Sequence, residues 1–210
     1  LPGGDCVMAV FEDAEQAGLF EAYLQEQGLP KGNEESARYL WDERFLPMSI
    51  KSIGPSLLAA EVTLPLDQVA AYHATIEEWG KRLGVKFYST SHVIRDGQAL
   101  FLPLITSDYR TTLFYVDLML VPMLVRLAIQ GFHGKPYGLG VWNTPFLNDL
   151  YSEKERKDLV RYKKKVDPAG ILNAGKFFGT QGRLGPLQKI LFRPGLFNLE
   201  LAAMQWLLFR

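Results

Sequence analysis

The residues whose types and spacing could do chemistry are few. The chain holds three histidines, one cysteine and one glycine-spaced lysine. His92 lies in a run of alternating polarity just before Arg95-Asp96-Gly97, and His133 lies in a stretch marked by Gly131, Gly134, Gly138 and Gly140. An imidazole near neutral pH can carry or accept a proton, so both are candidates for catalysis or binding. A glycine-rich loop lets side chains reach a ligand. His73 sits mid-helix and reads as a boundary side chain. No two histidines have the i, i+4 spacing of a helical zinc site. Cys6, in an apolar run, reads as core. Gly170-Ile171-Leu172-Asn173-Ala174-Gly175-Lys176 has the spacing of a phosphate-cradling loop, but Phe177 stands where a magnesium-binding hydroxyl belongs, and no strand feeds it. That excludes a nucleoside-triphosphate site. No Gly-x-Gly-x-x-Gly opens a strand–turn–helix unit, and no nucleophile elbow is present.

The elements that must position these residues follow from periodicity. Cys6–Phe11 reads as a buried strand, and Asp13 caps a helix running to Gln27 and stopped by Gly28. Ala37–Phe45 reads as a short helix carrying Trp41 and Arg44. Leu57–Leu64 reads as a strand closed by Pro65. A helix over Leu66–Leu83 places Val69, Ile76, Trp79 and Leu83 on one face, near the 3.6-residue period. Val85–Ile94 and Gln98–Ile105 are strands joined at Asp96-Gly97, a strong hairpin signal. A long apolar helix spans Tyr109–Gln130 around Pro122. Ser152 and Glu155 form a capping box for a basic helix to Val166. Its lysines alternate with acids and read as a solvated face.

The order predicts an α+β fold: a ferredoxin-like antiparallel sheet with helices on one face, over 1–150, and a C-terminal helical and glycine-rich appendage over 151–210. The 210 residues are 48% hydrophobic, with 23 basic and 23 acidic side chains. That composition excludes disorder and a nucleic-acid binder driven by bulk positive charge. The single cysteine excludes an internal disulfide framework. Leu113–Ile129 is interrupted by Asp117, Pro122 and Arg126, so no transmembrane segment is expected. The start at Leu1 shows no signal peptide and fits a piece of a longer protein. A cytoplasmic location is expected, with peripheral membrane contact as the alternative.

Lys165-Val166-Asp167-Pro168-Ala169-Gly170-Ile171-Leu172-Asn173-Ala174-Gly175-Lys176 closely resembles the D-P-x-G-I-L-N-P-G-K stretch of FAD-linked oxidases of the vanillyl-alcohol oxidase type, glycolate oxidase and D-lactate dehydrogenase among them. The helix over Leu66–Leu83, the hairpin after His92 and the glycine-rich loop fall in the family's order. The resemblance implies the C-terminal substrate, or cap, half of such an enzyme. FAD would be held mainly by an N-terminal half not contained in this chain. The implied partners are that FAD-binding half and a small-molecule substrate, with a homodimer as a further expectation.

The resemblance also assigns residues. Arg44 precedes Glu61, in Glu61-Val62-Thr63-Leu64-Pro65, by the seventeen residues that separate the family's carboxylate-gripping Arg from its acidic strand residue. A guanidinium can bond a carboxylate bidentately. Arg44 is therefore an expected substrate-binding residue, joined by His133 on the strength of its place in the glycine-rich loop; Tyr137 and His92 are the expected catalytic residues, and Asn173 and Lys176 the cofactor-binding ones. The family's metal-binding branch is matched only at His92: Leu100 replaces its second histidine, and Pro136-Tyr137 its Glu-His pair. One imidazole holds a divalent ion poorly, so no metal is expected. The implied activity is oxidation of a small hydroxy acid or alcohol by hydride transfer to flavin. The alternatives are a non-catalytic cap serving as a binding or assembly subunit, a 4-alkylphenol oxidase-like domain, or an unrelated ferredoxin-like ligand-binding module. The tail, 196–210, predicts a helix apolar nearly all round. Such a helix is normally buried on most sides, against the core sheet or another subunit.

Overall fold

A computed structural model describes residues 7–46, 49, 52, 56–111, 113–138, 140–174 and 193–209. The chain divides into two compact units, Leu1–Ile53 and Gly54–Arg210.

The first unit holds α1 (Ala14–Glu26) and α2 (Glu34–Asp42). Asp13 caps α1 by accepting the Gln16 N–H at 2.8 Å, and Asn33 caps α2 through Ser36 at 2.7 Å. These bonds satisfy amide donors that have no partner inside a helix. Gly28, at φ +62°, lies just past the end of α1. The strand expected over Cys6–Phe11 is not formed: Val7–Phe11 has no ladder partner, and Val7 and Val10 are exposed. An apolar run needs a neighbouring strand to become one. Cys6 lies outside the described residues.

The second unit carries the sheet. Its strands are β1 (Ser56–Ala59), β2 (Val62–Pro65), β3 (Phe87–Val93), β4 (Gln98–Ser107) and β5 (Lys135–Pro136). β1 and β2 lie along one edge of β4 in a single continuous register, Ser56 opposite Ser107 through Pro65 opposite Gln98. The interruption between them has a chemical cause. Ala60 donates to the carbonyl of Pro103 at 3.2 Å, but Pro103 has no N–H to return. The strand expected as one piece over Leu57–Leu64 is thus split in two. β3 pairs with the other edge of β4, and β5 with the free edge of β2. Every pairing is antiparallel, so the order β5–β2–β4–β3 is that of a ferredoxin-like βαββαβ unit, as the order of elements predicts.

The crossovers are α3 (Val69–Leu83) and α4 (Leu113–Gly131). Alternation along the strands sends Val62, Leu64, Phe101 and Ile105 to one face, where they meet Tyr72, Ile76 and Trp79 of α3 and Leu120, Leu124 and Ala128 of α4. The Tyr72 hydroxyl donates to the Leu124 carbonyl at 3.0 Å, tying the two helices together, and burial pushes its ionisation well above the usual tyrosine range. At the hairpin, Asp96 and Gly97 both have positive φ, the conformation of the tight turn that Asp-Gly signals.

The C-terminal part adds a 3-10 segment over Val141–Phe146, α5 (Leu147–Leu150), α6 (Glu153–Val166) and α7 (Pro194–Phe209). The capping box between Ser152 and Glu155 forms as expected. α7 packs through Phe197, Leu201, Met204 and Leu208 onto the helical layer, against the 3-10 segment, α4 and α3, rather than across the sheet. Its other stripe, with Leu199 and Leu207, is exposed. α4 is apolar on several sides because the sheet lies on one and α7 on another. No helix among the described residues is long and apolar enough to cross a membrane.

Candidate functional site

The second face of the sheet carries none of the helices that bury the first. In register across it run two rows. One is Lys135, Thr63, Leu100 and His92; the other is Tyr137, Glu61, Leu102 and Thr90. Tyr137 extends the β2–β5 ladder, its N–H donating to the Glu61 carbonyl at 2.9 Å. Half-buried Leu100 and Leu102 form an apolar floor, with Thr63, Thr90, His92 and Glu61 around it.

Tyr137 is held by its surroundings. Gly134 permits the close approach of β5, since a Cβ there would meet Leu64 Cδ2 at 2.8 Å and the Thr63 carbonyl at 2.9 Å. Gly138 lies over Glu61, whose Oε2 a Cβ would meet at 2.8 Å. The buried Asn143 closes the turn, donating through Nδ2 to the Gly138 carbonyl at 2.5 Å. The Tyr137 ring itself is exposed.

His92 and Tyr137 share this face without touching. Three strand spacings of about 4.8 Å separate their strands, with the leucine floor between. His92 is exposed on β3, and the residue opposite it on β4 is Leu100. His133, at φ +53°, is exposed in the turn before β5, at the hairpin end of the sheet. Arg44 lies in the first unit, in the turn after α2. Its Nη1 donates to the Trp41 carbonyl at 2.5 Å, and its guanidinium stacks over Trp41 and Phe45, 4.2 and 4.7 Å from the ring centroids. Among the described residues no group of three or more His, Cys, Asp or Glu side chains is arranged to hold a metal ion.

The loop after α6 is built around Asp167. Its nearly buried carboxylate accepts the N–H groups of Ile171 and Leu172, each at 3.0 Å, and the ammonium of Lys163. Lys163 also donates to the Leu172 carbonyl. Gly170, at φ +68°, lets the chain turn back, and Asn173 follows at φ +46° with its side chain exposed. The Lys163 bond chiefly, and the two backbone N–H groups, hold the Asp167 carboxyl below the usual range. Lys176 lies outside the described residues.

A family model for FAD linked oxidases, C-terminal domain, matches residues 8–177, which include the sheet, its open face and the Asp167 loop. The chain belongs to this family. No curated protein matches it. Membership makes it a C-terminal domain of FAD-linked oxidases, and so of an oxidoreductase class whose FAD-binding part is a separate domain.

Sequence reasoning missed β5, which reads as loop because two residues carry no periodicity. It also missed Thr63 and Lys135, which only register brings beside Leu100 and His92. Lys163 had a usable signal: it precedes Asp167 by four residues, the spacing of neighbours on a helix.

Proposed function

We propose that this FAD-linked oxidase C-terminal domain is the substrate-side half of a flavin enzyme, and that its open sheet face lies over the flavin ring with the substrate between them. The reaction would be oxidation of a small hydroxy acid or alcohol. The observation that carries this reading is the leucine floor of Leu100 and Leu102 edged by Thr63, Thr90, His92 and Glu61. A flat heteroaromatic ring and a small polar donor fit an apolar floor with a polar rim. The residues present therefore fit the cofactor, with Asn173 as the described side chain for its edge and Lys176 as the second. When bound, FAD supplies the two-electron acceptor.

The chain's own residues would bind and orient. Arg44 pairs with a substrate carboxylate or other anion, for which its planar fork is suited. Lys135 supplies a positive charge on the sheet face. His92 and Tyr137 hold the substrate hydroxyl or accept its proton, each from its own side of the floor. The leucines exclude water from the reacting carbon.

One observation favours a second reading. Leu100 faces His92 where the resemblance to the family's metal-binding branch implies a second histidine, and that loss suits a non-catalytic cap acting as an assembly subunit.

Titration of the chain into the FAD-binding half tests the proposal, followed by the flavin absorbance bands. A one-to-one complex with shifted bands, then bleaching under anaerobic 2-hydroxy acid, is expected. Docking without bleaching by any hydroxy acid or alcohol leaves the non-catalytic reading, and absence of docking sinks both.

A further inference from the structure

The open sheet face distinguishes between hydroxy acids by what they carry on the reacting carbon. Leu100 and Leu102 stand two residues apart on β4, both on this face and both half-buried. Beyond them Tyr88 of β3 lies on the same face, 40% exposed, with the Lys86 ammonium 4.9 Å from its ring centroid. On the other side the Tyr137 ring is 55% exposed. Glycolate carries only hydrogen on its reacting carbon, and lactate a methyl. Neither covers two leucines, and apolar surface left wet contributes no stabilisation. Two lysines flank this surface, and they differ. Lys86 is engaged by the Tyr88 ring. Lys135 is exposed on β5 and makes no ion pair among the described residues. The Glu61 carboxylate on the same face is turned to Gly138. Thr63, opposite Lys135, separates it from Leu100, so the two backbones lie about 10 Å apart, two strand spacings. The four-carbon stem of a lysine crosses much of that gap.

We propose that the substrate is a 2-hydroxy acid with a phenyl or medium-length alkyl group on its reacting carbon, its carboxylate held by Lys135 and its apolar group laid on Leu100 and Leu102. This rests on the reading of the open face as the substrate side of a flavin enzyme. Each methylene taken out of water contributes a factor of roughly 4, so a hexyl or phenyl group outweighs a methyl even when it is only partly covered. The oxidation is the one already described: the reacting carbon gives up a hydride to FAD, the hydroxyl proton passes to His92, and a 2-oxo acid remains.

The test compares mandelate, 2-hydroxyoctanoate and glycolate. In the complex of the full chain with the FAD-binding half, followed with an artificial electron acceptor, kcat/KM is expected to be ~10-fold or more higher for the first two than for glycolate. Leu102→Asn should bring that ratio toward one, and Lys135→Met should raise KM for all three acids. Where Leu102→Asn fails to match the wild-type circular dichroism, Leu102→Ala takes its place. A second readout uses the full chain without flavin: 2-hydroxyoctanoate should shift the amide resonances of Thr63, Leu100 and Leu102, and Lys135→Met should diminish those shifts. A kcat/KM for glycolate that equals or exceeds the others, or shifts confined to other parts of the chain, overturns the apolar-group assignment while the substrate-side reading stands. Oxidation of none of the three acids overturns both.

Discussion

The backbone N–H of Tyr137 donates to the carbonyl of Glu61 at 2.9 Å, which makes Tyr137 the last rung of the β2–β5 ladder rather than a residue of a free loop. Its position on the open face is therefore set by the sheet. Glu61, beneath Gly138, and Asn143, bonded to the Gly138 carbonyl, fix the turn beyond it.

Asn143→Ala removes the side-chain donor to that carbonyl, and Asn143 is buried. Leaving such a carbonyl unpaired costs about 1–3 kcal/mol. The melting temperature should fall accordingly, and the Tyr137 amide should exchange faster by nuclear magnetic resonance.

Gly134→Ala forces a Cβ to within 2.9 Å of the Thr63 carbonyl and 3.0 Å of Ala128 Cβ. Backbone and a helix methyl cannot move aside easily. Overpacking of this kind costs ~1–3 kcal/mol. Denaturant unfolding should show the loss, together with weakened protection at Lys135.

How much of this was legible beforehand depends on the range of each interaction. The Asp96-Gly97 turn, the Ser152–Glu155 box and the Asp13 cap are local, and each forms where the sequence places it. α2 runs over Glu34–Asp42 rather than Ala37–Phe45, because Asn33 caps it three residues earlier than the apolar spacing implies. The supposed strand over Cys6–Phe11 has the right residues and no partner among the described ones. On the open face, His92 was visible from its own alternation. Its neighbours Leu100 and Thr63 became visible only through register, which depends on pairings across tens of residues. The Asp167 loop was hidden for a different reason: Lys163 sits in a run of three lysines that reads as a solvated face, and only the turn at Gly170 brings the Ile171 and Leu172 N–H groups back onto Asp167.

Asp167→Asn should show a pH dependence with a definite sign. The folded carboxyl is held below its usual value, so its bonds to Lys163, Ile171 and Leu172 are fully stabilising above the unfolded carboxyl's titration near pH ~4 and are lost as pH falls through the lower folded value. The stability gap between wild type and variant should be widest at neutral pH and close on acidification below that point. A gap independent of pH would show that the charge contributes nothing.

Leu201→Ala in α7 empties a fully buried position against α4 and the 3-10 segment. Such truncations cost about 2–5 kcal/mol. Deleting 196–210 should go further and cause aggregation, since it uncovers the helical layer beneath. A truncated chain that stays soluble with an unchanged melting temperature would show the helix to be dispensable.

The central claim is that the sheet face carrying His92, Thr63 and Lys135 is the face turned to the flavin half. Chemical footprinting tests it most directly: diethyl pyrocarbonate for His92 and acylation for Lys135, read by mass spectrometry in the free chain and in the complex with the FAD-binding half. The account predicts that both residues react in the free chain and are protected at least several-fold in the complex, while Lys157 on α6, 70% exposed, stays reactive in both. Equal reactivity of His92 and Lys135 in the free chain and in a demonstrated complex would contradict it.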